Sequence, residues 1–499
     1  MIMLGSVQLS RAARQDELLQ AGYGLVLVAI CMAGGLQVVL ARLKVARLSA
    51  IFPAAAIEGM LASIGLLIIA KQIPLFMGVK FDAHEFWAIL QEAPQHFATM
   101  NLQVLGLGVA CLVALFLMAT IPGRLLKVMP PPVWVFIFGT LACQLFLHLD
   151  PQHLINVPEA PLKHGVALPN FAGVFTNYRL WVPLAYIVVT LLLIDGTESL
   201  ATITAVDKLD PYRRRSDPDR TFLAMGVCNV CSSLAGGLTI IPGIVKSTAN
   251  IIGGGRTQWA NFYNACFLLS FLFLGRDLIN MVPMAVLASI LVYIGFKLCR
   301  PEVWWKVAQI GTEQLFVFTV TVLVTVTTDL LLGIAAGIAL ELMLNMWYLS
   351  IWHALRDEPA GYAKPGPRVR FLSLFRNPVT RRELADGTYH LYVDGPLVCF
   401  NLFHVIRELQ HPPQDAWAVY VHLSGRVPLV DNTTCDFLYA LQEEFSSSDQ
   451  GPDLVIEGWD RMRPLSGHEA SRRVALIAVE NLVISARAEE EVQAAQTTD

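Results

Sequence analysis

Residues 191–215, LLLIDGTESLATITAVDKLDPYRRR, place two carboxylates, Asp195 and Glu198, inside an apolar run that ends against Lys208 and three consecutive arginines. Extended upstream to residue 181, the run is long enough as a helix to cross the ~30 Å hydrocarbon core of a bilayer. A carboxylate facing lipid there costs at least ~2.5 to 3.5 kcal/mol, so acidic groups at that depth face a bundle interior or a water-filled cavity. Three residues apart on one helix, Asp195 and Glu198 share a face. The stretch reads as a membrane helix with an acidic inner face and a basic cytoplasmic end.

The rest of the chain has the same character. Its 499 residues are 55% hydrophobic and only 15% charged, which excludes an ordinary soluble protein of this length and indicates a multi-span α-helical membrane protein. The net charge of −4 says little about partners, because the placement of the basic residues matters more than their sum. Eleven hydrophobic segments stand near residues 22–40, 50–70, 102–121, 131–148, 181–206, 221–237, 242–253, 257–275, 279–297, 314–331 and 333–352. The seventh is too short to cross alone, and its glycine flanks point to a discontinuous helix. Of the basic residues in alternate connections, fourteen fall in one set (Arg42 to Lys306) and five in the other (Lys71, Lys80, Lys163, Arg179, Arg276). The first set is cytoplasmic by this bias, which puts the region after residue 352 inside and the N-terminus, eleven crossings away, outside. No secretory signal is visible at the start. The nine cysteines are scattered, mostly within apolar runs, and Cys228 and Cys231 form a CxxC with no second pair and no nearby histidine. They are expected to pack helices rather than hold a metal.

The transmembrane part is read as residues 1–352, followed by a Pro-, Gly- and Arg-rich linker over 353–385. From 386 to 485, TYHLYVDG, AWAVYVHLSG and PDLVIEG read as strands alternating with the helical NLFHVIRELQ and TTCDFLYALQEEF, a small α/β domain. Residues 486–499 form a charged tail.

Downstream of Asp195 and Glu198, residues 239–250 read TIIPGIVKSTAN. Proline suits the first turn of a helix, where its missing N–H would be unpaired anyway. Pro242 and Gly243 therefore open a half-helix whose free N–H groups at Gly243, Ile244 and Val245, with the positive end of the dipole, would face the bilayer midplane as an anion site. Lys246 either adds charge to that site or snorkels to the headgroups. Ser247 and Thr248 supply hydroxyls nearby. Gly333 and Gly337 have a small-xxx-small spacing suited to close helix contact. Asp329 and Glu341 are expected near segment ends as caps or interfacial groups.

Five stretches taken together resemble one family. ESLATITAVDKL, GGLTIIPGIVKSTANIIGGGRT, MVPMAVLASILVYIGFKL and TDLLLGIAAGIALEL, in that order and followed by the α/β module, resemble the SulP (sulfate permease) family of anion transporters with a C-terminal STAS domain, over about residues 25 to 485. The resemblance implies fourteen membrane segments in two inverted repeats of seven, with entry here at the fourth. The first three segments are then absent from this sequence, through a truncated or mis-started coding sequence or through divergence. One wall of the family's site would be missing with them. The resemblance also implies that Glu198 occupies the acidic position of the eighth segment, beside the substrate and associated with H⁺ or Na⁺ coupling, with Asp195 as a second candidate. The half-helix at Gly243 corresponds to the tenth segment, and Lys246 to a place where members often carry arginine. Ile241, Pro242 and Gly243 stand where many members have hydroxyls. VYVHLSGRVPLVDNTTCDFLYAL resembles the STAS strand, turn and helix, but Asp431 is followed by Asn432 rather than by a phosphorylatable Ser or Thr, with Thr433 and Thr434 next in line.

The expected function is secondary active transport of a small anion (sulfate, bicarbonate or a dicarboxylate) by an elevator-type movement coupled to H⁺ or Na⁺. The expected substrate-binding residues are Glu198, Gly243, Ile244, Val245, Lys246 and Ser247, and the coupling-ion candidates are Glu198 and Asp195. No catalysis, metal, organic cofactor or nucleic acid is expected. The partners would be the bilayer, a second copy in a homodimer, and a cytoplasmic protein on the STAS-like domain. The alternatives are a non-transporting membrane-anchored STAS scaffold and a nucleobase permease of the same fold.

Overall fold

The computed structural model of the chain describes residues 15–44, 53–120, 131–147, 149–156, 167–210, 216–243, 246–247, 250–251, 255–355, 365–385, 387–410, 413, 416–446 and 453–475. By its internal contacts the chain divides into two units, Met1–Ser49 with Ala62–Cys299 and Ala50–Leu61 with Arg300–Asp499.

Apolar composition without a strong one-sided stripe produces the first unit's helices: α1 Gln15–Arg42, α2 Ala54–Met77 (from Ala62 on), α3 Leu102–Thr120, α4 Pro131–Ala142, α5 Trp181–Leu209, α6 Pro218–Leu234, α7 Trp259–Leu274 and α8 Met284–Leu298. Asp217 caps α6 through the N–H groups of Asp219 and Arg220, with Pro218 in the first turn. α1 and α6 meet backbone to backbone: a Cβ on Gly226 would sit 2.6 Å from the Gly34 carbonyl oxygen, and one on Gly34 2.8 Å from that of Gly226. Leu184 and Val188 of α5 pack on Val28, Ala29 and Ala33 of α1. A second core joins α3, α4 and α8 through Leu107, Leu115, Val135 and Val286.

The second unit contains the start of α2, then α9 Pro301–Ile310, α10 Thr312–Thr327, α11 Leu330–Leu355 and the α/β module. Gly333 and Gly337 of α11 face Thr325 and Thr321 of α10, and Ala56 lies beside Gly337, so the small-residue spacing serves packing inside the chain. Asp329 accepts the N–H of Leu332 at 2.8 Å, a helix cap as expected. Glu341 departs from expectation. It lies in the interior of α11, fully buried, because Arg472 of the module reaches it at 2.5 Å while Gln314 Nε2 approaches to 3.3 Å.

The module carries a short helix, α12 Pro367–Ser373, then strands β1 Val379–Ala385 and β2 Thr388–Val393, α13 Leu402–Gln410, β3 Ala418–Leu423, β4 Leu429–Val430, α14 Asn432–Ser446, β5 Asp453–Glu457, β6 Met462–Pro464 and β7 Arg473–Ala475. The main sheet has the order β1-β2-β3-β5, with β1 antiparallel and the rest parallel. The stretch expected as linker thus ends in an edge strand, because residues 379–385 pair antiparallel with β2. Leu391, Val421 and Leu454 on one sheet face pack on Val405 and Leu409 of α13 and Leu438 and Leu441 of α14. Two hydroxyls of the module cap membrane helices of the same unit. Thr433 Oγ1 accepts the N–H of Ala54 at the start of α2 (3.0 Å), and Ser466 Oγ donates to the carbonyls of Gln309 and Ile310 at the end of α9 (3.0 and 2.8 Å).

The ten hydrophobic segments other than 242–253, half of which lies outside the described residues, are helical, but length sorts them. Among the described residues six helices are long and apolar enough to cross a membrane, and Pro131–Leu147 and Thr312–Thr327 are shorter apolar helices. The tail 486–499 and Arg213, Arg214 and Arg215 lie outside the described residues. Among the described residues Cys228 and Cys231 are exposed on α6 and are not packed against another helix as expected.

Candidate functional site

α5 is continuous through both carboxylates. Asp195 is 2% exposed and its Oδ2 has no hydrogen-bond partner, while Glu198 one turn on is half-buried. The Ser199 hydroxyl donates back to the Asp195 carbonyl. Between the acids, Gly196 leaves room for the Phe222 ring of α6, whose nearest atom would lie 3.1 Å from a Cβ there. The acidic pair therefore sits where α5 and α6 close together, with an unpaired carboxylate oxygen held out of solvent. Such a group demands a proton, a cation or a donor.

Beyond α6 the chain stops being helical. Residues 235–243 form no helix, and three side chains hold this strut. Asn229 Oδ1 accepts the N–H of Ile240 at 2.6 Å, the Tyr23 hydroxyl donates to the Gly236 carbonyl at 2.7 Å, and the Ser232 hydroxyl donates to the Leu238 carbonyl at 2.7 Å. Asn229 is fully buried and donates through Nδ2 to Gln37 Oε1 of α1 at 2.9 Å. One amide thus ties α1, α6 and the strut together.

At the end of the strut the Gly243 carbonyl accepts the N–H of Ser247 at 2.9 Å, which is a first helical bond. That makes Gly243 the residue before the first turn, its carbonyl engaged and its flank against the Lys246 stem, 3.5 Å from where a Cβ would sit. Gly243 and Ser247 are half-buried and Lys246 is exposed. Ile244, Val245 and Thr248 lie outside the described residues. Among the described residues no hydrogen bond or ion pair joins Lys246 to Asp195 or Glu198. The acids and the turn are brought to one bundle by α6, which contacts Gly196 at its Phe222 and anchors the strut at its Asn229.

Asn229, Gln37 and Tyr23 were not anticipated from the sequence. The available signal was a single amide in each of two apolar runs, GGLQVVL and VCNVC, where a polar group needs a partner on another helix. Two open hollows among the described residues, about 550 Å³ beside Asn177 to Leu180 and about 340 Å³ beside Lys71, Pro74 and His84, contain none of the predicted residues.

Residues 2–321 match the family model described as "Sulfate permease family". The chain is 24% identical over 330 residues to a putative sulfate transporter, YvdB, of Bacillus subtilis (strain 168), an alignment over 65% of this chain and 60% of that protein. It is 22% identical over 334 residues to the bicarbonate transporter BicA of Picosynechococcus sp., over 66% of this chain and 57% of that protein. The chain therefore spans less than two thirds of the length of these relatives. Among solved structures, the transmembrane domain of a cyanobacterium bicarbonate transporter BicA superposes with a TM-score of 0.52 at 21% identity, covering 63% of this chain and 76% of that one. The overall structure of SLC26A9 superposes with a TM-score of 0.57 at 13% identity, covering 91% of this chain and 73% of that one.

Proposed function

Because the chain belongs to the sulfate permease family, we propose that it moves a small anion across the membrane, with sulfate, bicarbonate and C4-dicarboxylates as the candidate substrates. The observation that carries this reading is the strut held by Asn229, which ends in a helix start at Gly243 within the bundle that also buries Asp195. Unpaired N–H groups at a helix start attract an anion without needing a side-chain charge. Gly243, Ile244, Val245 and Ser247 would line it, and Lys246 would add an attractive charge at the open side. The curated relatives named as sulfate and bicarbonate transporters support the substrate class.

Coupling to H⁺ or Na⁺ would run through the α5 carboxylates. The partnerless oxygen of Asp195 favours a cation there, and Glu198, half-buried one turn on, would pass it to and from water. An elevator-type movement would carry strut and acids together, because Asn229, Gln37 and Phe222 bind them into one packed group. We place the STAS-like module on the cytoplasmic side, in a homodimer, with a partner protein on that module. The chain holds no expected catalytic group.

The test is radiolabelled uptake into proteoliposomes, with sulfate, bicarbonate and succinate as substrates and uracil as the comparison. Glu198→Gln should lower uptake at least tenfold, and Lys246→Ala should raise the half-saturating concentration several-fold. Unchanged uptake in both variants, in protein of unchanged thermal stability, overturns the assignment.

A further inference from the structure

On the sheet face turned away from α13 and α14, three adjacent strands carry one unbroken row of polar contacts. Thr388 Oγ1 lies 2.8 Å from His390 Nε2 on β2, His390 Nδ1 lies 2.8 Å from His422 Nε2 on β3, and His422 Nδ1 lies 2.7 Å from Glu457 Oε2 on β5. The Thr388 hydroxyl also donates to the Ala385 carbonyl at 2.6 Å, closing the turn between β1 and β2.

Counting hydrogens decides what the row holds. A carbonyl only accepts, so the single hydroxyl hydrogen of Thr388 goes to Ala385, and His390 Nε2 must supply the hydrogen of its own contact with Thr388. An ionised carboxylate only accepts, so His422 Nδ1 supplies the hydrogen toward Glu457. The contact between the two rings needs a third. Two neutral imidazoles bring two. If Glu457 carries a proton and donates instead, the row still holds one more proton than its neutral rings and ionised carboxylate would. The ring centres are 5.1 Å apart with 18° between planes, so the rings meet edge to edge and the facing nitrogens lie in line. That arrangement suits an N–H···N bridge. A tetrahedral ion with nitrogens at ~2.0–2.1 Å would need them about 3.3 Å apart and at an angle.

We propose that His390 and His422 form a binding site for one proton, shared between His390 Nδ1 and His422 Nε2 and balanced by Glu457, on the face of the main sheet opposite α13 and α14. The other charged and titratable groups facing it have partners of their own or lie at its margin. From β1, Glu383 stands opposite His390 and pairs with Arg381, which also lies over the Tyr392 ring. Tyr392 stacks on His422 at 4.5 Å and Tyr420 on His390 at 5.0 Å, and Asp453 sits at the far end of β5. The stacked rings cover part of both flanks, while the Glu457 side chain stays about half exposed, at 54%. Removing the proton has a defined structural consequence: Thr388 must turn its hydroxyl from Ala385 to His390, and the β1–β2 turn loses its closing bond. The inference is independent of the transport reading, since it rests on the module alone.

The test is ¹⁵N NMR of the full chain in lipid, with ¹⁵N-labelled histidine, at neutral pH. The expected result is a through-hydrogen-bond ¹⁵N–¹⁵N coupling between the two rings, with three protonated nitrogens on the pair. Thr388→Val removes the acceptor at His390 Nε2, so it should keep the coupling and reduce the count to two; His422→Gln should abolish the coupling. Two neutral rings without coupling in the unsubstituted protein overturn the proposal. So does a stoichiometric shift of both rings on adding Zn²⁺ to protein that showed no coupling before, which would make this a metal site.

Discussion

Asn229 is the residue on which the proposed site turns. It is buried among apolar neighbours and satisfies a backbone N–H of the strut on one side and Gln37 on the other. Asn229→Leu would orphan both, at about 1–3 kcal/mol each for a buried group left unpaired. The expected outcome is a loss of several degrees in melting temperature and at least a tenfold loss of uptake. Pairing it with Gln37→Leu should recover much of the stability, since one orphan disappears, and none of the uptake, since the strut stays untied. The two acids were legible because charge inside a hydrophobic run is conspicuous. Asn229 was not, because an amide carries no charge to mark it and its meaning lies in a partner 192 residues away. Glu341 was misread for a related reason. A place near the end of its segment was expected for it, whereas it lies eight residues inside, where Arg472, 131 residues on, makes burial tolerable.

Between elements, two contacts have measurable consequences. The α1–α6 crossing has no room for a methyl group, so Gly226→Ala forces the helices apart and should cost about 1–3 kcal/mol, read as a lower melting temperature in detergent. In the module, α13 is held against the sheet by groups whose titration has a predictable sign. Burial, with Arg407 and Arg382 nearby, pushes His404 below its ordinary 6.5. Burial raises Glu408, but the Tyr389 hydroxyl and the guanidiniums of Arg382 and Arg407 outweigh it and hold the carboxyl below 4.5. Burial, with the same carboxylate, pushes Tyr389 up to about 12. Both depressed groups stabilise the fold fully above their ordinary values, and that stabilisation is lost as pH falls through the folded ones. Amide protection of residues 402–410, corrected for intrinsic exchange, should therefore decline below about pH 6.5 and again below about pH 4.5; constant protection down to pH 4 would contradict this. Element type was readable here from periodicity alone. The edge strand β1 was not, because its exposed and charged residues show no apolar alternation until β2 supplies the register.

At the scale of the whole molecule, hydropathy established the membrane class and the order of segments, whereas the fastening of the module to membrane helices could not be read, since it depends on side chains meeting across long stretches of chain. Among these fastenings the Arg472–Glu341 pair is wholly buried, with the guanidinium over the Tyr348 ring at 4.8 Å. Arg472→Met alone should cost about 3–5 kcal/mol, whereas Arg472→Met with Glu341→Leu should come close to the unsubstituted stability, as thermal melts of the three proteins in one detergent will show. A different consequence follows from the cap on α2. Ala54 and Thr433 are 379 residues apart, so the ribosome finishes the first partner long before it makes the second. The N–H at the head of that helix must wait, hydrated or lipid-bound, through the synthesis of nearly everything else. Completion of the chain's early membrane structure is thereby deferred to its last folding event, and an arrested nascent chain lacking the module should expose the head of α2 to water-soluble labels that the finished protein excludes.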